Sequence, residues 1–551
     1  KPSSQGNRGY DVNSFGSALD HQVIYGLVKT GGAVVYDNTT GDNNKFLHRV
    51  IAFAGHEIES YDEIYLDDEL LTIDGSGNVT SPSKYDGKLR IKKLLGSPTQ
   101  VADPDLVSEV AEWTSNHRLR GIAYLYVRMA FKAEVFPNGV PTFTSVIKGK
   151  KVYDPRTTTT VWSANPALCV RDYLTTSTYG LGEQAANIDD VNFIVAANVC
   201  DNLNYPTLTG GVKFTTNGAF TTAVTPYSFL NNIMSCMGGT VWYGQGKWRV
   251  KPAYYTAPVL ALTDDDLRSG LNITTRHSRR DNFNTVKGTF KGSETNWQVT
   301  DYPEFTNATF VAEDNDQVSV VDLDLPFTSS SVIARRIARI TLERNRQQIT
   351  VSASFGMRAF QLQVGDNVTL TSTRRGWAAK EFEVTTWNFG LSGDNDLITQ
   401  MTLREITESV FDEVDDGVVY SRGTTTVISP FTVPNIGLGA TTRTQILREK
   451  LTNIATLTVT SAASDRIDYV ETEFKQAESL VYITLGTGQL GNFEALDLDD
   501  GDYDFRARAI NTFGVKGEWE YLLGINANGL LAPPADITNF VAEVNGSVIT
   551  L

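Results

Sequence analysis

The sequence predicts a mainly β protein with a small α+β region in its middle and a β-sandwich near its end. Three observations predict this arrangement. Short runs of β-branched and aromatic residues, separated by turns that contain glycine, proline or asparagine, fill most of the chain. Apolar residues recur at helical spacing mainly in the middle, behind the capping residues Asp189 and Thr225. Alternating strands close the chain in the number expected for an immunoglobulin-like sandwich.

The bulk composition indicates a chain with several packed cores. It has 551 residues, of which 41% are hydrophobic and 10% aromatic. The net charge of −16 disfavours binding to nucleic-acid backbones or anionic membranes. Cys169, Cys200 and Cys236 include no Cys-x-x-Cys pair, so we expect small buried side chains rather than disulfides or a zinc site. No signal peptide is expected, and the apolar run at 121–131 is too short to span a membrane.

The N-terminal third is predicted to be rich in strands. Residues 1–20 contain many glycines, serines and asparagines and are predicted to form an arm. The β-branched runs 23–28 and 33–36 flank Gly31-Gly32, which predicts a hairpin. Asp103-Pro104 predicts the start of a helix that ends before Gly121. Its predicted apolar face consists of Leu106, Val107, Val110 and Trp113.

The stretch 145–182 links this third to the middle. A basic turn, Lys148-Gly149-Lys150-Lys151, lies between two short strands and is followed by Asp154-Pro155-Arg156. The threonine run 157–160 disfavours helix. Asn165-Pro166 then predicts a capped helix that ends near the glycines of 179–182. Nothing in this stretch has the pattern of a catalytic centre.

The middle and the following region alternate helices with strands. Helices are predicted behind Asp189 and from Thr225-Pro226, followed by a hairpin over 244–246. Strands are predicted beyond 256, including Thr309–Val311. A further helix has Ile333, Ile337 and Ile340 on one face and Arg335, Arg336, Arg339 and Arg344 on the other. Two interpretations stay open: a basic face that meets a partner's carboxylates, or a solvated amphipathic helix.

Motifs for catalysis are weak. Gly486-Thr-Gly-Gln-Leu-Gly491 has dinucleotide-binding spacing, but strand-like residues follow it, so a sandwich loop is expected. His56-Glu57 starts like a zinc-protease motif, yet Ser60 stands where its second histidine belongs. The acidic clusters 264–266 and 497–504 are interpreted as turns rather than as an acid and a base. We therefore expect no catalytic residues, no metal site and no cofactor, and we predict a structural protein rather than an enzyme.

Several sequence blocks occur in the order found in one family. They are VIYGLVKTGGAVVY (23–36), HRLRGIAYLYVRMAF (117–131), FPNGVPTFTSVIKGKKVYDPR (136–156), WSANPALCVRDYLTTSTYGLG (162–182), SFLNNIMSCMGGTVWYGQGKWRVKPA (228–253) and IARRIARITLERNRQ (333–347). With them the chain resembles the tail tip, or central tail hub, proteins of long-tailed bacteriophages, the type represented by the host-specificity protein J of phage lambda. The resemblance covers about residues 20–405.

The final hundred residues resemble a fibronectin type III domain. The block GDYDFRARAINTFG (501–514) matches its F strand, with Tyr503 in the place of the tyrosine corner. The strand at 455–460 lacks the tryptophan that the family usually has there. A second such domain is expected to start in LAPPADITNFVAEVNGSVITL (531–551).

The resemblance implies β-barrel hub domains, a small α+β domain and an immunoglobulin-like fibronectin type III sandwich. The expected division is an N-terminal arm at 1–20, hub β domains at 21–160, an α+β hub domain at 161–255, a second β-barrel hub domain at 256–411, a linker at 412–434, a fibronectin type III domain at 435–530 and the start of a second one at 531–551.

The family's function implies a homotrimeric ring at the distal end of the virion's tail. The ring would cap the tail tube, connect it to the host-recognition apparatus and open for genome ejection. Expected partners are the distal tail protein, the tape-measure protein, other tail tip proteins and a host receptor bound through C-terminal regions absent here. DNA would pass through the channel without specific binding. The alternative is a carbohydrate-active or adhesive cell-surface protein with fibronectin modules.

The basic residues are the candidates for interface contacts in this interpretation. They would form ion pairs between domains or between subunits rather than belong to an active site. A basic side chain can bind a carboxylate without any catalytic arrangement. The candidates are Lys148, Lys150, Lys151, Arg156, Arg335, Arg336 and Arg339.

Overall fold

The structure is a computed structural model. It describes residues 13–15, 19–130, 132, 134–136, 139–203, 211–276, 278–392, 396–412, 420, 432–447, 450–529, 543–545 and 548–550. The chain divides into two compact units, Lys1–Arg422 and Gly423–Leu551. Among the described residues, no helix is both long enough and apolar enough to cross a membrane. Much of the predicted arm, linker and second fibronectin domain lies outside the described residues.

The first part of the first unit consists of two sheets around one apolar core. Its elements are β1 (Ser14–Phe15), β2 (Gln22–Tyr25), β3 (Leu27–Gly31), β4 (Ala33–Thr40), β5 (Phe46–Ala54), β6 (Ile58–Leu66), β7 (Glu69–Leu70), β8 (Thr72–Ile73), β9 (Val79–Ser81), β10 (Leu89–Leu94), α1 (Pro104–Glu109), β11 (Ala123–Ala130), β12 (Phe143–Asp154) and β13 (Thr159–Trp162). One sheet has the order β1-β4-β5-β11-β10, and the other β13-β12-β6-β7, with β3 also on β12. Buried side chains such as Phe53, Leu125 and Phe143 fill the space between them.

The hairpin predicted around Gly31-Gly32 is wrong. Strand β3 pairs with β12, where Thr144 lies opposite Gly31, whereas β4 pairs with β5. The chain therefore passes from one sheet to the other at Gly32. A Cβ atom at Gly32 would lie 2.5 Å from the Ala52 carbonyl oxygen, so this close crossing requires glycine. The turn signal was real, but pairing with distant strands determined the partners.

Helix α1 is shorter than predicted. Its cap is the expected one, because the Asp103 side chain accepts a hydrogen bond from the Leu106 N–H at 3.0 Å. The helix ends at Glu109, and Val110 already has an extended conformation. Trp113 is still buried beside Leu106 and Val110, so the apolar spacing reflects a packed turn beyond the helix.

The middle of the chain contains short capped helices, one hairpin and a strand that pairs with the N-terminal part. Its elements are α2 (Pro166–Thr175), α3 (Asp190–Cys200), β14 (Gly218–Thr221), α4 (Pro226–Ser235), β15 (Thr240–Gly244) and β16 (Lys247–Lys251). The predicted caps are confirmed, since the side chains of Asn165, Asp189 and Thr225 each accept from the backbone of the helix they start. Strand β14 pairs with β2, which joins the N-terminal strands to the helices. The three cysteines are free and buried, as expected.

The last part of the first unit mixes a larger sheet with two helices. Its elements are β17 (Leu260–Thr263), β18 (Asn272–Thr274), β19 (Thr285–Lys287), β20 (Thr289–Lys291), β21 (Val299–Asp301), β22 (Phe305–Thr306), α5 (Ala308–Glu313), β23 (Val320–Asp322), α6 (Ser331–Arg346), β24 (Thr350–Phe355), β25 (Asn367–Ser372), β26 (Trp377–Leu391) and β27 (Leu397–Glu405). The main sheet has the order β17-β25-β26-β27-β24-β18. Small sheets form from β19, β22 and β23 and from β20 and β21.

The strand predicted at Thr309–Val311 is wrong, because these residues belong to α5. The Asn307 side chain accepts hydrogen bonds from the N–H groups of Thr309 and Phe310 and so starts a helix. This local capping outweighs the strand preference of the β-branched residues.

Apolar cores in this unit combine segments that are distant in sequence. The central core joins Tyr25, helices α2, α3 and α4, Phe290 and the apolar face of α6. A separate core lies in the main sheet, with Leu262, Phe355 and Phe382 fully buried. Helix α6 is therefore followed directly by a sheet with a core of its own.

The second unit is a sandwich. Its elements are β28 (Gly437–Leu447), β29 (Lys450–Thr460), β30 (Ile467–Gln476), β31 (Ile483–Gly488), β32 (Gly491–Leu498), β33 (Gly501–Asn511), β34 (Glu520–Ala527), β35 (Glu543–Asn545) and β36 (Val548–Thr550). Up to residue 529, the described strands form sheets of order β28-β29-β32 and β31-β30-β33-β34. Residues 486–491 comprise the end of β31, a two-residue connection and the first residue of β32, with no helix, so the sandwich-loop interpretation is confirmed. The chain is mainly β, as predicted.

Candidate functional site

The turn predicted at 148–151 is wrong, because these basic residues lie within one continuous strand, β12. Pairing with β6 and β13 keeps this segment extended. Its basic side chains contact acidic residues of the same unit. Lys148 lies 3.3 Å from a carboxylate oxygen of Asp62. Lys151 lies 3.2 Å from Glu57 and 3.5 Å from Glu59. The hydrogen bond to Glu57 raises the pKa of Lys151. These three ion pairs connect β12 to β6 and to the turn before β6. The side chains that form them are partly exposed.

Lys150 belongs to a more buried network. Its ammonium group lies 3.1 Å from Asp172 on α2 and also donates to the Tyr179 hydroxyl. The hydroxyl groups of Tyr25 and Tyr179 each donate to the same Asp172 oxygen at 2.6 Å. Burial, followed by the Asp172 charge, raises the pKa of both tyrosines, so they remain donors. One carboxylate thus joins β2, β12 and the loop after α2.

Arg156 makes a second connection between strand and helix. Its guanidinium group binds both oxygens of Asp154, lies 2.8 Å from Asp201 and donates to Asn198 at 3.2 Å. These bonds raise the pKa of Arg156, chiefly through Asp154. Asp201 caps the end of α3, where a cation is also favoured by the helix dipole. Lys150 therefore links β12 to α2, and Arg156 links the turn after β12 to the end of α3.

The arginines of α6 contact backbone carbonyl groups of other segments. Arg336 donates to the Lys213 carbonyl at 2.7 Å, and Arg339 to the Ser409 carbonyl at 3.4 Å. Arg335 donates to the Glu304 carbonyl at 3.4 Å, and its guanidinium group lies over the Phe305 ring. The helix thus places its basic side against neighbouring loops of its own unit.

His56 is a structural histidine. Its Nε2 accepts from the Ile24 N–H at 2.9 Å, and its Nδ1 lies 2.8 Å from the Glu57 carbonyl, to which it donates in this tautomer. Burial lowers the pKa of His56 to about 4, so the ring is neutral near pH 7. In the described part of the chain, no group of three or more His, Cys, Asp or Glu residues is placed to hold a metal ion.

The acidic clusters serve turns and ion pairs. Asp266 accepts from the Thr263 N–H at 2.9 Å and lies 3.2 Å from Arg358. In the second unit, Asp504 lies 3.0 Å from Lys475. Neither cluster presents two carboxylates with the separate environments that an acid and a base require.

Sequence reasoning identified Lys150 and Arg156 but missed their partners. Most residues around Asp172 on helix α2 are apolar and buried. A carboxylate among apolar residues was the available signal for a buried ion pair. Nothing in the sequence indicated that Tyr25, almost 150 residues earlier, would share this carboxylate. Local patterns do not report contacts of such long range.

The second unit contains the hydrogen bond expected of a tyrosine corner. The Tyr503 hydroxyl donates to the Asp499 carbonyl at 3.2 Å. On one face of its larger sheet, Arg506 and Arg508 stack on the Trp519 ring, each with its guanidinium carbon 4.3 Å from the ring centre. Arg506 also pairs with Glu473, and Arg508 with Glu471.

Comparisons with known proteins indicate one class of relative. Residues 225–387 match the family described as putative phage tail protein. The chain is 22% identical over 459 residues to the baseplate hub protein pb3 of Escherichia phage T5, a match that covers 71% of this chain. It spans 48% of that relative's length.

A solved structure has a similar fold. A chain of the native gene transfer agent virion superposes with a TM-score of 0.52 at 16% identity, covering 76% of this chain and 91% of that one. The relatives found by sequence are structural tail and hub proteins rather than enzymes. This chain is accordingly related to the structural proteins of bacteriophage tails.

Proposed function

We propose that this chain is the tail tip hub of a long-tailed bacteriophage, of the type of the host-specificity protein J. The observation that carries the proposal is the similarity over 459 residues to a protein named a baseplate hub. The matched family region, 225–387, includes α4, the small sheets, α6, four of the six strands of the main sheet and most of a fifth, β26. The match therefore includes much of the region in which segments distant in sequence pack into the central core.

The second unit is proposed to be a fibronectin type III domain. Its sheet orders, β28-β29-β32 and β31-β30-β33-β34, suit an immunoglobulin-like sandwich. The Tyr503 hydroxyl bond to Asp499 supports the same assignment. In place of the missing tryptophan, Leu457 and Val459 are buried between the sheets. Such a module would extend the hub toward the parts that recognise the host.

The hub would act as a homotrimer in the virion, at the distal end of the tail. Three copies form a ring that caps the tail tube, binds the distal tail protein, the tape-measure protein and other tip proteins, and opens for genome ejection. The net charge of −16 per chain favours passage of DNA without specific binding, because like charges repel. A host receptor would be bound through other regions of the full tip.

Three of the basic candidates, Lys150, Arg156 and Arg336, are proposed to connect domains within one chain. Lys150 and Arg156 each pair with a residue beyond position 160, namely Asp172 and Asp201. Arg335, Arg336 and Arg339 bind carbonyl groups of neighbouring loops. Contacts between subunits are then expected to use other surfaces.

Imaging of intact tails by cryo-electron microscopy tests the proposal. We expect three copies of the first unit in a ring at the tip, and a trimer for the purified chain by mass photometry at high concentration. A chain that is absent from the tail, or a monomer that releases reducing sugars from host glycans, would contradict the hub and support a carbohydrate-active protein. Labelling the second unit with an antibody would locate the sandwich.

A further inference from the structure

A small polar cavity lies between helix α6 and the main sheet. Its volume is about 160 Å³, and its walls come from the end of α6, the β15–β16 hairpin and strands β26 and β27. It therefore lies where the central core meets the core of the main sheet. A cavity of this size holds a small ion with a few waters, given that a water takes up about 30 Å³ in the liquid.

Three cations line this cavity: Lys251, Arg344 and Arg404. The Lys251 side chain is 9% exposed, lies 3.0 Å from Glu383 and also donates to the Gly365 carbonyl. Arg344 donates to the Gly238 carbonyl at 2.9 Å, and Arg404 donates to the Arg344 carbonyl at 2.5 Å. Carbonyl groups offer dipoles and no negative charge.

The two arginines lack a carboxylate partner within the part of the chain that is described. The Nε atom of Arg344 is buried and has no hydrogen-bond partner there. Burial lowers the pKa of both Arg344 and Arg404, against the opposing effect of the Glu383 charge, and the Arg404 charge lowers the pKa of Arg344 further. A buried guanidinium group without a counter-ion is costly, and this cost is removed when an anion supplies the missing charge.

The nearby carboxylates are already used by other cations. Glu383 pairs with Lys251, and Glu405 pairs with Lys380. The carboxyl of Asp366, next to the lining residue Gly365, has a pKa raised by burial and accepts from the Gln363 N–H. Glu383 and Glu405 also line the cavity, so its three cations face two carboxylates and one positive charge is left in excess in the lining.

We propose that this cavity binds a small tetrahedral oxyanion from solution, such as phosphate or sulfate, through Arg344 and Arg404. Guanidinium groups suit such ions because their N–H groups form paired bonds to two oxygens. The bound ion would strengthen the junction between α6 and the main sheet. This role does not depend on the proposed hub function, because it follows from the charges of one chain.

Calorimetric titration of the full chain with sodium phosphate, against sodium chloride of equal ionic strength, tests the site. Wild type should show saturable binding, and phosphate should raise its melting temperature by about 2–4 °C more than chloride does. Arg344→Gln and Arg404→Gln should each weaken binding by about tenfold or more, since each removes charge-assisted hydrogen bonds.

Two further variants separate the site from general anion binding. Arg358→Gln removes a more exposed arginine of the same unit that pairs with Asp266, and it should change phosphate affinity by less than about twofold. Glu383→Gln should tighten phosphate binding by about threefold or more, because Lys251 then loses its counter-charge. Absence of saturable binding in wild type overturns the proposal, as does a folded Arg344→Gln chain that binds phosphate like wild type.

Discussion

Lys150 and Lys148 lie close together on strand β12, but their ion pairs differ in burial. The two pairs should therefore contribute differently to the free energy of unfolding. The side chains of Lys150 and Asp172 are 19% and 12% exposed, compared with 37% and 31% for Lys148 and Asp62. A pair that is largely shielded from water, with two tyrosine hydroxyls on the same carboxylate, is costly to break from one side. An exposed pair contributes little.

The first prediction compares these two lysines. Lys150→Met should destabilise the first unit by about 2–4 kcal/mol, because Asp172 stays buried with no counter-charge. Lys148→Met, the matched control on the same strand, should cost at most about 1 kcal/mol. Urea unfolding followed by circular dichroism measures both. Equal effects of the two changes would show that Asp172 is well solvated, contrary to the network described.

The second prediction concerns His56 and acid. Its folded pKa of about 4 lies below the ordinary value of 6.5, so the unfolded chain binds a proton first as the pH falls. The stability contributed by neutral His56 is complete above pH about 6.5 and is lost between there and pH about 4. The total loss should approach about 3 kcal/mol.

Denaturant unfolding at a series of pH values measures this dependence. His56→Gln should reduce the slope between pH 4 and 6.5, although it lowers stability at neutral pH by loss of the bond to Ile24. A His56→Gln chain with an unchanged slope would assign the acid sensitivity to other groups.

At the scale of elements, local chemistry was predictable and long-range pairing was not. The caps Asn165, Asp189 and Thr225 could be recognised because a capping side chain acts within three residues. The Gly31-Gly32 turn was recognised too, but its flanking strands belong to different sheets. Strand partners are chosen by the burial of whole faces, which no short window contains.

The candidate site, too, was predictable only in part. The basic residues at 148–151 and Arg156 were visible in the sequence, as were the arginines of α6, although 148–151 lie in strand β12 rather than in a turn. Their partners were not, because Asp172, Asp201 and the Lys213 carbonyl come together only when the central core forms. The cavity between α6 and the main sheet gave no local signal, since its charges come from four separate elements.

The third prediction concerns two helix caps. The Asn165 side chain accepts from the Ala167 N–H, and its amide also donates to the Ala197 carbonyl on α3 at 2.9 Å. Asn165→Ala should therefore cost about 2–3 kcal/mol, one part for the cap and one for the buried carbonyl left unpaired. Thr225→Ala, an exposed cap of a neighbouring helix, should cost only about 1 kcal/mol. Thermal unfolding compares the two, and equal costs would contradict a role for Asn165 beyond capping.

At the scale of the whole molecule, the division at residue 422 predicts that the chain does not unfold in a single cooperative step. Each unit has its own apolar core, and a unit with its own core can unfold independently. The intact chain should accordingly show two calorimetric transitions rather than one. A single free energy of unfolding does not then describe the protein, and each variant must be assigned to the transition that it moves.

The fourth prediction uses this independence. Tyr503→Phe removes the hydroxyl bond to Asp499 and should lower only the transition of the second unit, by the equivalent of about 1 kcal/mol. Lys150→Met should lower only the other transition, because its partner Asp172 lies in the first unit. Differential scanning calorimetry of both single variants and of the double variant provides the test. The two shifts should add in the double variant, since the two sites lie in separate units with separate cores. If either change moved both transitions, the cores would be coupled, and the sandwich would fold together with the first unit instead of as a separate module.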